Sequence, residues 1–311
     1  MLNHRAAIAC VALICMAWPA AAMADDSTLP PNANNNSLFD SASGMFDEGK
    51  LLATGGVSTV EGSGGGGIAT WALISGYGTR DGVGLNAHFT YIDLPDYAFW
   101  SPGVAIDLYD RVEFSYAYQT FDTEHVGAEL GLGEGYSFHQ NVWGAKVKLF
   151  GDAVYDQDSW LPQVAVGAQY KQNDRSALIH AIGGKSADGI DYYVAATKLF
   201  LAESVLVDVT LRETKANQFG ILGFGGNLND SYSTEFEGSA AYLFSRNFAV
   251  GAEVRTKPSN LGIAQEDDAW DVFAAYFLNK NLSLTVAYAD LGNIVIKDHQ
   301  QGVYLSLQGG I

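Results

Sequence analysis

Apolar and polar residues alternate along many segments between residue 51 and the end of the chain. In segment 235–244 every second residue is apolar or small: Phe236, Gly238, Ala240, Tyr242 and Phe244. The same period of two recurs in segments 111–120, 205–212, 247–255 and 282–289. Because successive side chains of a strand point to opposite faces, each segment has one apolar and one polar face. Helical spacing fits none of these segments, and the pattern predicts an antiparallel all-β protein.

Alternation and turn residues together predict about fourteen strands, with twelve as the next choice. The predicted ranges are 51–61, 67–77, 83–93, 98–108, 111–121, 138–150, 161–172, 190–201, 203–213, 232–244, 247–257, 269–278, 281–291 and 300–308. Short turns rich in Asn, Asp and Ser follow most even-numbered strands, since these residues tolerate tight backbone conformations. Longer polar loops follow the odd-numbered strands. Segment 151–160 is the exception, because it is long where a short turn is expected.

Short turns at one end and long loops at the other are typical of outer-membrane barrels, whose tight turns face the periplasm. A soluble β-sandwich or propeller would also alternate. However, aromatic outward faces and strands of about ten residues favour a tilted membrane span. Closure also removes the sheet edges that lipid cannot hydrogen-bond. Residues 51–311 are therefore predicted to form a transmembrane antiparallel up-and-down β-barrel with short periplasmic turns and longer external loops.

The first 24 residues have the pattern of a cleaved signal peptide. Arg5 provides a positive start, residues 6–18 are apolar, and Ala22-Met23-Ala24 matches a signal-peptidase site. A retained membrane anchor is the alternative, but this apolar stretch is too short for roughly 30 Å of hydrocarbon. Residues 25–50 are polar, which predicts a flexible leader or a small plug. The protein is expected to be exported to the outer membrane of a Gram-negative bacterium.

Charge and cysteine content exclude several classes of protein. The formal net charge of −18 argues against a general nucleic-acid binder, because such proteins neutralise phosphates with Lys and Arg. The 17% content of charged residues is below that of typical soluble domains. Cys10 and Cys15 both lie in the predicted signal peptide. Cleavage would therefore leave no cysteine for a disulfide, a thiolate metal site or a nucleophile.

Motifs for catalysis or cofactor binding are weak. Gly62 to Gly67 contain the spacing GxGxxG, but no helix that could bind a pyrophosphate is evident after them. Ser137, His139 and Asn141 are the residue types of an outer-membrane lipid hydrolase, and residues two apart on a strand face the same side.

Metal sites are not predicted either. Acidic groups near 152–158 and 266–268 lack the EF-hand spacing, and a solvated acidic loop explains them better. The histidines of the mature chain are dispersed: His88, His125, His139, His180 and His299. We therefore predict no catalytic residue, metal or cofactor.

Charged residues on the inward face are the main candidates for function. By alternation they are His88, Arg111, Glu113, Lys146, Lys148, Lys171, Asp208, Arg212, Glu235, Glu237, Glu253 and Arg255. Charges of both signs can line a water-filled pore and set its selectivity, or they can pair across the lumen and close it. Fourteen strands enclose a lumen wide enough for a path, whereas eight would be filled by side chains. The pattern favours a pore or a partly plugged channel over a closed scaffold, and the net acidity suggests a mild cation preference.

Several runs of residues resemble a known family. They are Gly55-Gly56-Val57-Ser58-Thr59-Val60-Glu61-Gly62, Trp71-Ala72-Leu73-Ile74-Ser75-Gly76-Tyr77-Gly78-Thr79 and Gly103-Val104-Ala105-Ile106-Asp107-Leu108-Tyr109-Asp110-Arg111-Val112-Glu113. They resemble the proteobacterial domain-of-unknown-function family 3034, whose members are described as exported or outer-membrane proteins. The resemblance covers nearly all of the mature chain. It implies a barrel in the outer membrane and assigns no catalytic or ligand residue.

The predicted function is a passive pore for small solutes, without enzymatic activity. Residues 300–307 resemble the C-terminal signal that barrels present to their assembly machinery. The expected partners are this machinery, outer-membrane lipid, lipopolysaccharide and small solutes, but not nucleic acid. One alternative is a structural or adhesive barrel that works through its external loops. Another is a lipid hydrolase that uses His139 and Ser137.

Overall fold

The computed structural model describes residues 49–311, which form a barrel wall of twelve strands and a smaller two-stranded ladder. The small ladder consists of β1 (Val57–Ser58) and β2 (Gly64–Gly65). The wall consists of β3 (Val83–Asp93), β4 (Ala98–Leu108), β5 (Val112–Asp122), β6 (Ser137–Phe150), β7 (Gln163–Asn173), β8 (Asp188–Phe200), β9 (Val205–Thr214), β10 (Ser233–Ser245), β11 (Phe248–Arg255), β12 (Ala269–Asn279), β13 (Leu282–Asp290) and β14 (Gln301–Gly310). Two short helices, α1 (Val126–Glu129) and α2 (Ser176–Ala181), and a 3-10 helix at Gln218–Gly220 lie in loops.

Each wall strand pairs antiparallel with its neighbours in sequence, and β14 pairs with β3 to close the sheet. In that closing pair Val303 lies opposite Asp93 and Gly310 lies opposite Asn86. Every wall strand therefore has two partners, and the wall has no free edge for lipid to leave unsatisfied. The predicted closed all-β barrel is confirmed. The strand number is twelve, which was the second choice, and fourteen is wrong.

The error lies in the first two predicted strands, 51–61 and 67–77. Every residue from Thr54 to Gly78 is buried, whereas a wall strand exposes every second side chain to lipid. A segment buried on both faces cannot belong to the wall. The apolar residues of 71–74 lie inside the barrel. The wall therefore begins at Val83 rather than at residue 51.

The two ends of the barrel differ as the sequence predicts. Short turns follow β4, β8, β10 and β12, and longer loops follow β5, β7, β9, β11 and β13. Segment 151–162, between β6 and β7, is a long connection at the end of the barrel that otherwise carries short turns, as the sequence also predicts. It folds against the wall, because the Lys198 ammonium donates hydrogen bonds to the carbonyls of Asp152, Asp156 and Leu161. The loop after β3, at 94–97, is short at the opposite end.

The two faces of the wall have opposite character. On β9 the exposed side chains are Val207, Val209 and Leu211, and the side chains between them are buried in the lumen. Neighbouring aromatic rings lie on the outer face, among them the pairs Trp143–Tyr170 and Trp270–Tyr288. An apolar outer band with aromatic residues is what a lipid bilayer requires of a barrel. None of the helices within residues 49–311 is long and apolar enough to cross a membrane.

The loops at the long-loop end pack on one another over the barrel. Their buried apolar residues include Leu94, Val126, Ile221, Leu261 and Leu291, one from each of five loops. The hydroxyl group of Tyr97 donates a hydrogen bond of 2.9 Å to the carbonyl of Ile294 and joins two of these loops. Burial of this apolar surface holds the loops in place as a cap over that end.

Candidate functional site: a plugged lumen

Residues 50–78 fill the lumen, and we call this segment the plug. It contains β1 and β2 and otherwise has no regular structure. Residues 79–82 connect it to β3 at the end of the barrel that carries the short turns. The leader or small plug predicted for 25–50 lies almost entirely outside the described residues, as does the predicted signal peptide, 1–24. The plug seen in the structure therefore follows the predicted leader in the chain, and it covers the two segments, 51–61 and 67–77, that the sequence predicts as wall strands.

An ion cluster fastens the plug at the short-turn end. The Lys50 ammonium lies 3.1 Å from the carboxylate of Asp107 and 2.9 Å from that of Asp110, and it donates a hydrogen bond to the Ile74 carbonyl. Lys148 of β6 reaches Asp110 at 2.5 Å. Burial opposes the charged form of Lys50, but the carboxylates of Asp110 and Asp107 outweigh it and raise its pKa.

A second cluster surrounds Glu61 near the middle of the lumen. Its carboxylate is fully buried and pairs with three wall residues: Lys171, Arg212 and Arg255. Burial of Glu61 would raise its pKa, but Arg255, Lys171 and Arg212 together hold it well below its usual value. A buried carboxylate is stable only with such partners, so Glu61 ties the plug to strands β7, β9 and β11.

Wall side chains also satisfy the backbone of the plug. Glu253 accepts hydrogen bonds from the N–H groups of Ile68, at 2.8 Å, and Ala69, at 3.3 Å. Glu237 accepts one from Thr70, and the Lys146 ammonium donates to two plug carbonyls. Irregular backbone at membrane depth requires partners of this kind, because lipid and dry protein supply no water.

The glycine at position 66 allows this close approach. A Cβ atom at Gly66 would collide with the carboxylate of Glu253. A Cβ atom at Gly67 would lie 3.4 Å from both Glu253 Oε2 and the hydroxyl of Tyr304. The run from Gly62 to Gly67 therefore brings the plug against the wall, and no helix that could bind a phosphate follows it within the described residues.

The structure places ten of the twelve candidate lumen residues on the buried inner face. These are His88, Glu113, Lys146, Lys148, Lys171, Asp208, Arg212, Glu237, Glu253 and Arg255. Arg111 is instead exposed in the turn after β4, beyond the point where alternation applies. Glu235 is only partly buried near the end of β10, where it accepts a hydrogen bond from Thr256.

Sequence reasoning missed several charged residues of the site: Lys50, Glu61, Asp107, Asp191 and Asp271. Each of the three aspartates occupies one of the alternate positions of its strand whose side chains face the lumen. Applying the alternation to every residue of these strands could have identified them. No comparable signal existed for Lys50 and Glu61. Their partners come from strands far away in sequence, such as Arg255, which is 194 residues from Glu61.

Little free volume remains between the plug and the cap. A cavity of about 20 Å³ lies there, lined mainly by apolar side chains that include Val60, Ile68, Phe121 and Phe219. A volume of this size holds about one water molecule. Phe219 belongs to the loop after β9, and the guanidinium of Arg255 lies 4.4 Å from its ring centre. The loop and the plug thus line the same small cavity inside the barrel.

Ser137, His139 and Asn141 share the outward-facing side of β6. The His139 Nδ1 atom lies 2.9 Å from Asp174 Oδ2, in the arrangement of a base held by a carboxylate. The Ser137 hydroxyl donates to the Gly135 carbonyl, and Asn141 accepts from the Tyr116 hydroxyl. The three residues share a face, but the structure pairs each with a different partner. No group of three acidic, histidine or cysteine ligands suited to a metal occurs within residues 49–311.

Closure, an apolar outer band and a polar lumen define a transmembrane β-barrel of the outer-membrane type. The chain belongs to the family of proteins of unknown function DUF3034, whose model matches residues 54–308. The matched range includes most of the plug as well as the wall. No curated protein matches the chain.

Solved structures with a similar chain path include outer-membrane proteins. A KdgM porin has a TM-score of 0.47 and 10% identity, covering 72% of this chain and 98% of that one. An outer membrane channel from Pseudomonas putida F1 has a TM-score of 0.43 and 11% identity, covering 73% and 93%. Outer membrane phospholipase A from Escherichia coli has a TM-score of 0.39 and 11% identity, covering 76% and 92%.

Proposed function

We propose that this protein is an outer-membrane channel for small solutes and that the described conformation is its closed state. The observation that carries the proposal is the way in which the plug is held. Residues 50–78 contact the wall through many ion pairs and hydrogen bonds, as at Lys50, Glu61 and Thr70, in addition to the apolar packing of residues such as Ile68 and Trp71. Water can replace the polar contacts once it enters the lumen, which lowers the cost of displacing the plug.

The connectivity supports movement of the plug without loss of the barrel. The wall strands are joined by continuous backbone ladders, whereas β1 and β2 pair only with each other, over two residues each. Displacing the plug therefore breaks no wall ladder. The freed lumen of twelve strands is lined by charged and polar side chains and suits water and polar solutes.

A reversible cross-link tests this mechanism. Ser58 in the plug accepts a hydrogen bond of 2.9 Å from the Asn86 side chain on β3. We expect the variant Ser58→Cys/Asn86→Cys, in the mature chain, to form a disulfide that locks the plug to the wall. In single-channel recordings the wild type should show openings, the oxidised double variant should be silent, and a reductant should restore its openings.

Two single variants, Ser58→Cys and Asn86→Cys, control for the substitutions themselves. They should conduct like the wild type in the presence or absence of oxidant. Openings of the fully oxidised double variant that match the wild type would mean that solutes do not pass the plug. A correctly folded wild type that never conducts would favour the structural or adhesive barrel instead.

Export and membrane insertion are part of the proposal. We infer that the signal peptide 1–24 is removed and that β14 presents the assembly machinery with its signal, residues 300–307. The outer face would then contact outer-membrane lipid and lipopolysaccharide. N-terminal sequencing of protein from the outer-membrane fraction should begin at Asp25. A different mature end, or protein in another fraction, would contradict this part.

A lipid hydrolase is the second candidate, favoured only by the contact between His139 and Asp174 on the outer face. A nucleophile would have to be Ser137, whose hydroxyl must turn from Gly135 towards the imidazole. Phospholipid hydrolysis by the refolded protein that is lost in His139→Ala would support this activity. Equal hydrolysis by wild type and variant would assign it to a contaminant.

A further inference from the structure

Five basic side chains that line the wall, those of Lys146, Lys148, Lys171, Arg212 and Arg255, pair with acidic residues of the wall itself and its turns. Lys146 pairs with Glu113 at 3.3 Å, and Lys171 pairs with Asp191 at 2.6 Å. The remaining inward-facing pairs of this kind are Lys148–Asp110, Arg212–Asp191, Arg212–Glu237 and Arg255–Glu237. These pairs involve no plug residue and can persist when the plug leaves.

Three wall carboxylates are different. Asp208, Glu253 and Asp271 are at most 3% exposed, and none of the ion pairs found among residues 49–311 includes them. They lie in one row across four adjacent strands. Asp208 of β9 is opposite Ser239 of β10, Ser239 is opposite Glu253 of β11, and Glu253 is opposite Asp271 of β12. We call these three residues the carboxylate arc.

Hydrogen bonds with the plug satisfy the centre of this arc. Glu253 accepts hydrogen bonds from the backbone N–H groups of Ile68 and Ala69, which carry partial positive charge, and from the hydroxyl group of Ser239. Asp208 accepts hydrogen bonds from two wall hydroxyls, those of Thr197 and Thr210. In the closed barrel, the plug backbone thus occupies the position that faces the arc.

Two buried polar groups beside the arc have no hydrogen-bond partner. They are Asp271 Oδ1 and the hydroxyl of Tyr304, whose residues are 2% and 1% exposed. The Tyr304 hydroxyl and Glu253 Oε2 converge on the same point above Gly67 of the plug. Asp271 Oδ1 and the Tyr304 hydroxyl are thus buried and unsatisfied, and Glu253 Oε2 would join them once its plug N–H donors leave. Carboxylate and hydroxyl oxygens are the donors that a hard cation prefers.

We propose that the carboxylate arc is the cation-binding and selectivity site of the open channel. This inference rests on the proposed function. When the plug leaves, Glu253 loses its N–H donors. Lys171, Arg212 and Arg255 lose Glu61 but keep the wall carboxylates of Asp191 and Glu237 as partners. The exposed potential at the arc is then negative and attracts inorganic cations such as K⁺ over anions.

Reversal potentials in a KCl gradient test the assignment with the full mature chain. The wild type should prefer K⁺ over Cl⁻, and Asp271→Asn and Glu253→Gln should each lower that permeability ratio by about threefold, because one charge leaves the constriction. The double variant should approach a ratio of one. Glu203→Gln removes the same charge from an exposed turn residue and should leave the ratio unchanged.

The outcomes separate the two proposals. Channels that conduct with the same selectivity in the double variant as in the wild type would overturn the role of the arc but leave the channel intact. An anion-selective wild type would do the same. A folded wild type that never conducts would overturn the proposed function itself. The mobility of unheated samples in gels establishes for each variant that the barrel has formed.

Discussion

The wall and the plug belong to one chain but are stabilised in different ways. Wall strands are joined by continuous backbone hydrogen-bond ladders. Because this pairing uses only backbone groups, their side chains can contact lipid on the outer face and line the lumen on the inner face. In the plug, only two residues each in β1 and β2 form a ladder, and side chains of the wall satisfy much of its remaining backbone. The wall therefore depends on backbone pairing, whereas the plug depends on side-chain contacts with the wall, both charged and apolar.

Proline substitutions should give the largest difference between the two regions. Val207 lies within β9 and is paired on both sides, to Ala240 and Lys198. Val207→Pro removes a ladder hydrogen bond in a strand that has a partner on each side, and we expect barrel assembly to fail. Leu73→Pro in the plug breaks no wall ladder and should leave the barrel folded. Heat-modifiable gel mobility measures both, with Val207→Ala as the control. Equal assembly of both proline variants would contradict the comparison.

Removing the charge of Glu61 should loosen the plug and spare the wall. Glu61→Gln leaves Lys171 and Arg255 without a full partner, and breaking a buried ion pair costs about 3–5 kcal/mol. Hydrogen exchange should accelerate in residues 54–78 but not in β6 to β9. Glu129→Gln, which alters only exposed loop contacts with Lys297 and His125, should change neither region. Faster exchange throughout the wall would mean that plug and wall unfold together.

Acid should weaken the plug before the wall. Burial of Glu61 and Asp110 favours their neutral forms, but the neighbouring basic residues outweigh it and lower both pKa values. A carboxyl with a lowered pKa contributes its full stability above its usual value, which is 4.5 for Glu61. This contribution is lost as the pH falls further. Exchange of the plug should therefore accelerate below that pH, and less so in Glu61→Gln. Hydrogen exchange of the plug that does not change with falling pH would contradict the role of these ion pairs.

The smallest effect is expected in the cap. Tyr97→Phe removes the hydrogen bond to the Ile294 carbonyl while keeping the buried ring. The free energy of unfolding should fall by about 1 kcal/mol, as for the loss of a typical buried hydrogen bond. Urea unfolding would measure it, with Tyr109→Phe at an exposed turn residue as the control. An effect on channel openings as large as that of Glu61→Gln would place the gate in the cap instead of the plug.

The alternation of single strands predicted much of the wall. The range predicted for the third strand, 83–93, is the range of β3, and that of the fourth, 98–108, is the range of β4. Glu113 and Lys146 were placed inward by the same rule, and they are buried there as an ion pair. Arg111 has the same parity as Glu113 but lies in a turn, where the rule no longer applies. Periodicity is informative only within the span of the strand.

The amino-acid sequence by itself determined that the chain forms a barrel, many of the residues that face its inside and which end carries the long loops. These properties follow from local alternation and turn residues, because each strand must present one face to lipid and one to the lumen. Only the tertiary structure decided that residues 50–78 lie within the lumen. A segment enclosed by protein has no lipid-facing side and needs no alternation. Its partners come from distant strands, as with Ile68 and Glu253, which are 185 residues apart.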